Sequence, residues 1–371
     1  MILLIEHNYY MIKKTIIVAA ITISACLVVL LTFEFFLRKS VSYITNETLE
    51  QTKGVVQFDP EFLVEYKGNN RRLRPNVKVL IHNHYLSGKD VSIQTNSFGF
   101  RGEGLEEKKD NELRILFLGD SITIGDYLNQ EEVFPWITQS ILQSQIPTKS
   151  ISIAVAALTN LGLDEEVSLL KESGLATKPD IVVLNFYLND SRPPWGFSGE
   201  TGNRGWLRKR SLLAETIYTR LIIGRASCRQ RELRFSWIDM QNKLDWQNNK
   251  SDFLKLANSA KYDWGAAWDE SSWVVVENGF KELKNLADEF NFKVFIAIHP
   301  VSFQVYANFI EETPQQKLKE ISNLLKFTSI DLLPILRTHK KEDLFYDQCH
   351  PKAFTNKLIA KEIAENLNIF N

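Results

Sequence analysis

Arg114-Ile115-Leu116-Phe117-Leu118-Gly119-Asp120-Ser121-Ile122-Thr123 is the stretch on which the fold turns. Ile115 to Leu118 have no polar neighbour in the run, the pattern of a strand buried on both faces, as in a parallel sheet. Gly119 permits a tight turn, so Asp120 and Ser121 fall just past the carboxyl end of that strand, the edge at which open α/β sheets bind ligands. A serine in this place has two common uses, as a helix N-cap or as a nucleophile. The second requires that the chain also supply a base, an acid to orient it, and donors for an oxyanion.

Further apolar stretches follow at regular intervals: Ser150 to Ala157, Ile181 to Tyr187, Phe292 to Ile298 and Ile330 to Ile335. Helical patterns lie between them, around Glu131 to Gln145, Asp164 to Glu172, Val276 to Phe290 and Pro314 to Leu325, and the chain ends on another, Lys352 to Leu367. Strand alternating with helix predicts an α/β fold: a five-stranded parallel, doubly wound sheet with helices on both faces. One interruption separates the third and fourth strands by far more than a crossover needs, from about 191 to 272. It carries seven of the eight tryptophans if Trp273 at its end is counted, and is too aromatic to be disordered. A helical cap or lid, or a surface for membrane or glycan, is expected there. Tryptophans packed inside a small helical subdomain are the plainer alternative.

The N-terminal portion is organised differently. Thr15 to Phe33 gives 19 residues without a charge, enough for a helix across a bilayer, and the apolar character continues to Leu37 past Glu34. The run exceeds the core of a secretory signal, and the residues after the lipoprotein-like Ile23-Ser24-Ala25-Cys26 stay apolar. An uncleaved single-span membrane anchor over 15–37 is therefore expected, behind a tail of 1–14. Lys13 and Lys14 are balanced by Arg38 and Lys39, so charge does not orient it. Residues 38–111 form a juxtamembrane or cap segment with short strand-like pieces, Val77 to His82 and Val91 to Thr95, and a turn-rich run, Asn96 to Gly102. His82 and His84, two residues apart, are expected on one strand face as surface polar residues or, less simply, a metal pair.

Composition excludes some classes of partner. With 44 basic and 45 acidic residues the formal charge is -1, and nothing favours a nucleic acid. Cys26, Cys228 and Cys349 have no metal-ligand spacing; Cys228 and Cys349 are read as separate buried thiols, with a disulfide between them as the alternative. Gly119 to Gly125 lacks the spacing of a phosphate-binding loop.

The chemistry-bearing residues fall in register with the strands. Asn189 and Asp190 follow the third strand, Asn160 and Gly162 follow the second, and Asp347 and His350 precede the last helix in Asp347-Gln348-Cys349-His350-Pro351. An aspartate three residues before a histidine can hold its ring, and the rival bases His299 and His339 have none at that position. Gly119-Asp120-Ser121, Asn189-Asp190 and Asp347-x-x-His350, in this order, resemble the blocks of the SGNH (GDSL-type) esterase and lipase superfamily over about 112–368, excluding the insertion. The resemblance implies a three-layer α/β/α, flavodoxin-like domain over 112–371, with Ser121 as nucleophile, His350 as base and Asp347 as its partner. It also implies an oxyanion site from Ser121 and Asn189 and a backbone amide near Asn160 or Gly162. Asp120 and Asp190, beside these positions, are read as loop-stabilising residues first and as substrate-binding ones second. Neither metal nor organic cofactor is implied. The substrate would be an ester: a small molecule, a lipid or an acylated glycan. Transfer to a cell-envelope glycan hydroxyl, and a non-catalytic binding or assembly module, are the alternatives. Asn96 to Gly102 resembles a segment of membrane-anchored bacterial-type members, which would put the domain outside the cytoplasm. Two departures stand out: Tyr187 replaces the usual glycine ahead of Asn189, and the glycine block is filled by Asn160 or Gly162. Of these, Asn160 tolerates the left-handed backbone that a glycine would adopt.

Overall fold

The computed structural model describes residues 2–47, 64–67, 70–192, 207, 211–217 and 232–368. Helix α1, Ile2–Glu47, runs unbroken through both ends of the expected anchor, and its portion Tyr10–Leu37 is long and apolar enough to cross a membrane, with 0% of it buried. Residues 1–48 and 204–227 form one compact unit, within which Glu34 accepts hydrogen bonds from Ser211 Oγ and Leu213 N, both at 2.8 Å. The rest of the chain forms a second unit.

That second unit opens on two antiparallel hairpins, β1 (Val64–Lys67) with β2 (Asn70–Leu73), and β3 (Lys78–Ile81) with β4 (Val91–Gln94). β3 and β4 alternate buried and exposed residues, which matches the period of their sequence. The expectation that His82 and His84 share a strand face is corrected: both lie beyond β3, in the turn. His82 pairs with Asp90 at 3.1 Å on the surface, while His84 is buried against Tyr85 and Tyr127.

The main sheet follows: β5 (Glu112–Gly119), α2 (Ser121–Ile124), α3 (Phe134–Gln145), β6 (Ser150–Ala157), α4 (Leu163–Leu169), β7 (Ile181–Tyr187), α5 (Lys250–Ser259), α6 (Glu270–Phe290), β8 (Lys293–His299), α7 (Thr313–Leu324), β9 (Thr328–Asp331), α8 (Leu333–Thr338) and α9 (Ala353–Asn368). All pairings are parallel, in the order β6-β5-β7-β8-β9, the doubly wound flavodoxin-like arrangement. Every residue of β7 is buried, and β5 is buried from Leu113 onward, as strands covered on both faces must be. On one face α3 and α9 pack together, joined by Phe134 N donating to Asn356 Oδ1 at 3.0 Å. The fifth strand is shorter than the expected Ile330 to Ile335. Pro334 has no N–H to give a ladder but suits a first helical turn, and Asp331 Oδ1 accepts from Leu333 N at 3.0 Å, so the chain turns into α8.

The described part of the insertion is helical, and its tryptophans form a packed aromatic cluster. Trp264 lies 6.0 Å from Trp237 and 5.3 Å from Phe303, and Phe253 lies 5.5 Å from Trp268, ring centre to ring centre. This cluster packs against the turn at Leu188–Ser191. The packing alternative thus holds for these residues; Trp195, Trp206 and Cys228 lie outside the described residues. Cys349 is a free, buried thiol.

Leu184, in the middle of the sheet, is fully buried. Leu184→Ala is expected to destabilise the detergent-solubilised full chain by about 2–5 kcal/mol, measured as a lower denaturation midpoint in guanidinium. An unchanged midpoint would contradict its central placement.

Candidate active site

Three strands deliver their carboxyl ends to one edge. Gly119 is in register with Ala157 on β6 and with Asn185 on β7, so Asn160 and Asn189 leave the sheet on either side of Ser121. No side chain fits at Gly119: an added Cβ would meet Thr123 Oγ1 at 2.2 Å. Asp120 caps α2, its Oδ1 accepting from Ile122 N at 3.0 Å. Ser121 is the first residue of that helix, so its N–H has no acceptor within the helix.

His350 arrives from the loop before α9, pinned by Tyr346 N donating to the His350 carbonyl at 2.9 Å and by Ser302 N donating to Gln348 O at 2.8 Å. Its Nε2 lies 3.0 Å from Ser121 Oγ and its Nδ1 lies 2.7 Å from Asp347 Oδ2. Asp347 Oδ1 accepts two backbone amides, Cys349 N and His350 N, each at 2.9 Å. Burial alone would raise the Asp347 carboxyl; the charge of His350, its hydrogen bond and those amides outweigh it and hold the carboxyl well below the usual range. Burial conversely works to lower the His350 imidazole, but Asp347, with smaller help from Asp126 and Asp120, raises it above the ordinary 6.5. Ser121, His350 and Asp347 therefore form one hydrogen-bonded chain. The rival His299 is a core residue, pushed down to about 3 by burial, with Nε2 at 3.3 Å from Asn185 Oδ1. His339 stacks edge-on to Phe354 at the end of α8.

Asn160 has φ +59°, the left-handed backbone expected of a glycine-block residue, and among the described residues no acceptor takes its N–H. Gly162 is extended, at φ -109° and ψ 170°, and serves as the N-cap residue of α4, its carbonyl accepting from Glu165 N and Glu166 N. Asn189 sits in the turn after β7, largely buried, with Oδ1 unpartnered. Asp190 Oδ2 accepts from Tyr187 N at 2.8 Å. Asp120 and Asp190 are both buried with a carboxylate oxygen given to a backbone amide, the loop-stabilising place of the two expected for them. Burial first, then Glu166 and Asp120, push the Asp190 carboxyl well up, and burial takes Asp120 up to about 6.

Asp347, Cys349 and His350 also bring three possible metal ligands within 4.8 Å of one another. They fit a metal poorly. Nδ1 and Oδ2 already face each other, and burial pushes the Cys349 thiol well above its ordinary value, away from the thiolate a metal takes.

Several supporting residues were not foreseen in the sequence. Tyr127 stacks edge-on to the His350 ring at 5.1 Å, and Asp126, taken up to about 6 by burial, lies beside it in the chain. Arg101, fully buried, donates to the carbonyls of Ile124, Gly125 and Leu128, at 2.5, 2.7 and 2.7 Å, and forms an antiparallel bridge with Val155 on β6. Arg71 reaches Asn160 O and Glu165. Asn96 to Gly102 stood out by its turn residues, but an arginine in a loop carries no periodicity that tells where its fork points.

No protein-family model matches the chain, and no curated protein matches it. Among solved structures it is similar to the acetyl xylan esterase AlAXEase, with 14% identity, a TM-score of 0.39, and coverage of 69% of this chain and 100% of that one. It is also similar to a putative lipolytic protein of the G-D-S-L family from Desulfitobacterium hafniense DCB-2, with 11% identity, a TM-score of 0.37, and coverage of 68% and 99%. A third is a catalytic mutant of Axe2, an acetylxylan esterase from Geobacillus stearothermophilus, with 12% identity, a TM-score of 0.41, and coverage of 71% and 96%.

A histidine NMR titration of the full chain in detergent is expected to give His350 a midpoint above 6.5. Asp347→Asn should lower that midpoint, since burial would then lose its main opponent. A midpoint that stays put in the variant would contradict the role given to Asp347 in setting it.

Proposed function

We propose that the chain is a serine esterase of the SGNH type, acting through an acyl-enzyme on Ser121. The observation that carries this is the hydrogen-bonded chain from Ser121 Oγ to His350 Nε2, 3.0 Å, and from His350 Nδ1 to Asp347 Oδ2, 2.7 Å. An isolated serine hydroxyl is a weak nucleophile, and an adjacent base whose other nitrogen is held by a carboxylate activates it.

In the first half-reaction the Ser121 hydroxyl proton passes to His350 Nε2 as Oγ bonds to the ester carbonyl carbon. The carbonyl electrons move onto oxygen. That oxyanion lies at the sheet edge beside the Ser121 and Asn160 N–H groups, which have no acceptor among the described residues, and the Asn189 side chain, whose Nδ2 would be its third donor. The tetrahedral species collapses, the alkoxide leaves with the proton from His350, and an ester to Ser121 remains. Water then repeats the sequence, giving its proton to His350, and the acid is released with Ser121 regenerated. Asp347 keeps its negative charge throughout and stabilises the transient imidazolium. Of the oxyanion donors, Asn160 rather than Gly162 has the backbone conformation for this place.

The same proposal tethers the enzyme to a membrane by Tyr10–Leu37 and places the site on the extracytoplasmic side. Protease added to spheroplasts, with wall and any outer membrane stripped and the inner membrane intact, should then digest the C-terminal bulk; full protection there, with digestion after detergent lysis, would contradict that sidedness.

In detergent the full chain should hydrolyse p-nitrophenyl acetate. Ser121→Ala and His350→Ala should each lose at least about 10³-fold in kcat/KM, and Asn189→Ala about 10²-fold in kcat. Equal activity, or equal inactivity, of the wild type and Ser121→Ala would remove the basis of the proposal.

A further inference from the structure

The β1–β2 hairpin lies ahead of the sheet in sequence, in what reads as a spacer between membrane and domain. One of its side chains nevertheless reaches the site. Arg71, on β2, donates from Nη2 to the carbonyl of Asn160 at 2.7 Å. The same guanidinium is fixed by Glu165, with Nε to Oε1 at 3.2 Å and Nη2 to Oε2 at 2.7 Å. The two side chains are only 10% and 7% exposed, so the fork is shielded from competing water. Glu165 belongs to the first turn of α4, which starts directly beyond Gly162. The carbonyl that Arg71 grips is thus clamped between a hairpin and a helix, and it belongs to the residue with φ +59°.

The position of this clamp has a consequence for the amide. A left-handed backbone is unfavourable for any residue with a side chain, and asparagine accepts it only more readily than most. Left alone, Asn160 would also sample ordinary backbone angles, which would swing its N–H. Holding the carbonyl on one side of Cα restrains the torsions that set the direction of the amide on the other side. Asn160 N–H has no acceptor among the described residues, its Nδ2 is buried without a partner, and the hydrogen bond that closes the turn, Leu161 N donating to Leu158 O, is long at 3.4 Å, so the Arg71 contact at 2.7 Å is the tighter restraint. An oxyanion donor is useful only if its direction is set before charge develops.

We propose that Arg71, locked by Glu165, is a positioning residue that holds Asn160 in the left-handed conformation in which its N–H serves as an oxyanion donor. The β1–β2 hairpin is then a working part of the active site. The inference rests on the serine esterase proposal above, and the experiment separates the two.

The test is a double-mutant cycle on the detergent-solubilised full chain, with p-nitrophenyl acetate as substrate, using Arg71→Ala, Asn160→Gly and the pair. Arg71→Ala should lower kcat by about 10- to 100-fold and change KM by less than about twofold, since the lost interaction is made in the transition state. The pH midpoint of kcat/KM should not move, because His350 and Asp347 are untouched. In the Asn160→Gly background the same Arg71→Ala change should cost less than about threefold, because glycine takes the left-handed backbone without support. A purely structural role would instead lower stability and leave the two backgrounds equally sensitive. If Arg71→Ala does not fold, judged by its thermal midpoint, Arg71→Lys and Glu165→Gln replace it in the cycle, each losing the bidentate lock while keeping a polar group. Wild-type kcat in the Arg71 variant, or an equal loss in both backgrounds, would overturn this inference while leaving the esterase proposal standing. An inert wild type would overturn both.

Discussion

An imidazole placed in a protein interior loses its positive form unless something compensates, and here the compensation comes chiefly from one carboxylate. His350 is largely buried at the end of a loop, with Asp347 Oδ2 at 2.7 Å from its Nδ1. Asp347 in turn stays ionised because two amides of its own loop, and the histidine itself, favour its charge. The pair is self-contained within four consecutive positions. What the fold must add is a serine at the correct place, and the parallel register of β5, β6 and β7 does that by bringing Ser121 out of the sheet between Asn160 and Asn189.

Around this edge the chain spends its buried polar groups on backbone. Asp120 and Asp190 cap the turns after β5 and β7, Arg101 gathers three carbonyls beyond the helix that begins at Ser121, and Arg71 grips the carbonyl of Asn160. The aromatic cluster of Trp237, Trp264 and Phe303 backs the turn that carries Asn189. Loops that would otherwise be the mobile part of an α/β domain are thereby fixed from outside the sheet. Two of these supports, Arg71 and Arg101, come from the segment between the apolar helix and the main domain, which ties that segment to the chemistry.

Much of this was legible in the sequence, for identifiable reasons. Ile115 to Leu118 is a continuous apolar run and Ile181 to Tyr187 is broken only by Asn185, and bounded by turn residues such short runs fit strands covered on both faces. Ser121, Asn189 and the Asp347–His350 spacing were readable because each sits at a fixed offset from a strand or helix. Asn160 was placed by a local conformational property, its tolerance of positive φ. Where the pattern was weak, tertiary context decided. Pro334 ended the fifth strand early and His84 folded inward against Tyr127. The roles of Arg71, Arg101 and Tyr127 depend on contacts between segments far apart in sequence, and a single chain of residues carries no local trace of them.

The central claim is that Ser121 is held in an activated state by His350 and Asp347. Its most direct test is to treat the full chain in detergent with a fluorophosphonate, measure the intact mass and map the modified peptide. A single phosphonyl adduct on the peptide containing Ser121, lost when His350 is replaced by alanine, is the predicted result. No adduct on the wild type, or an adduct on another residue, would contradict the account.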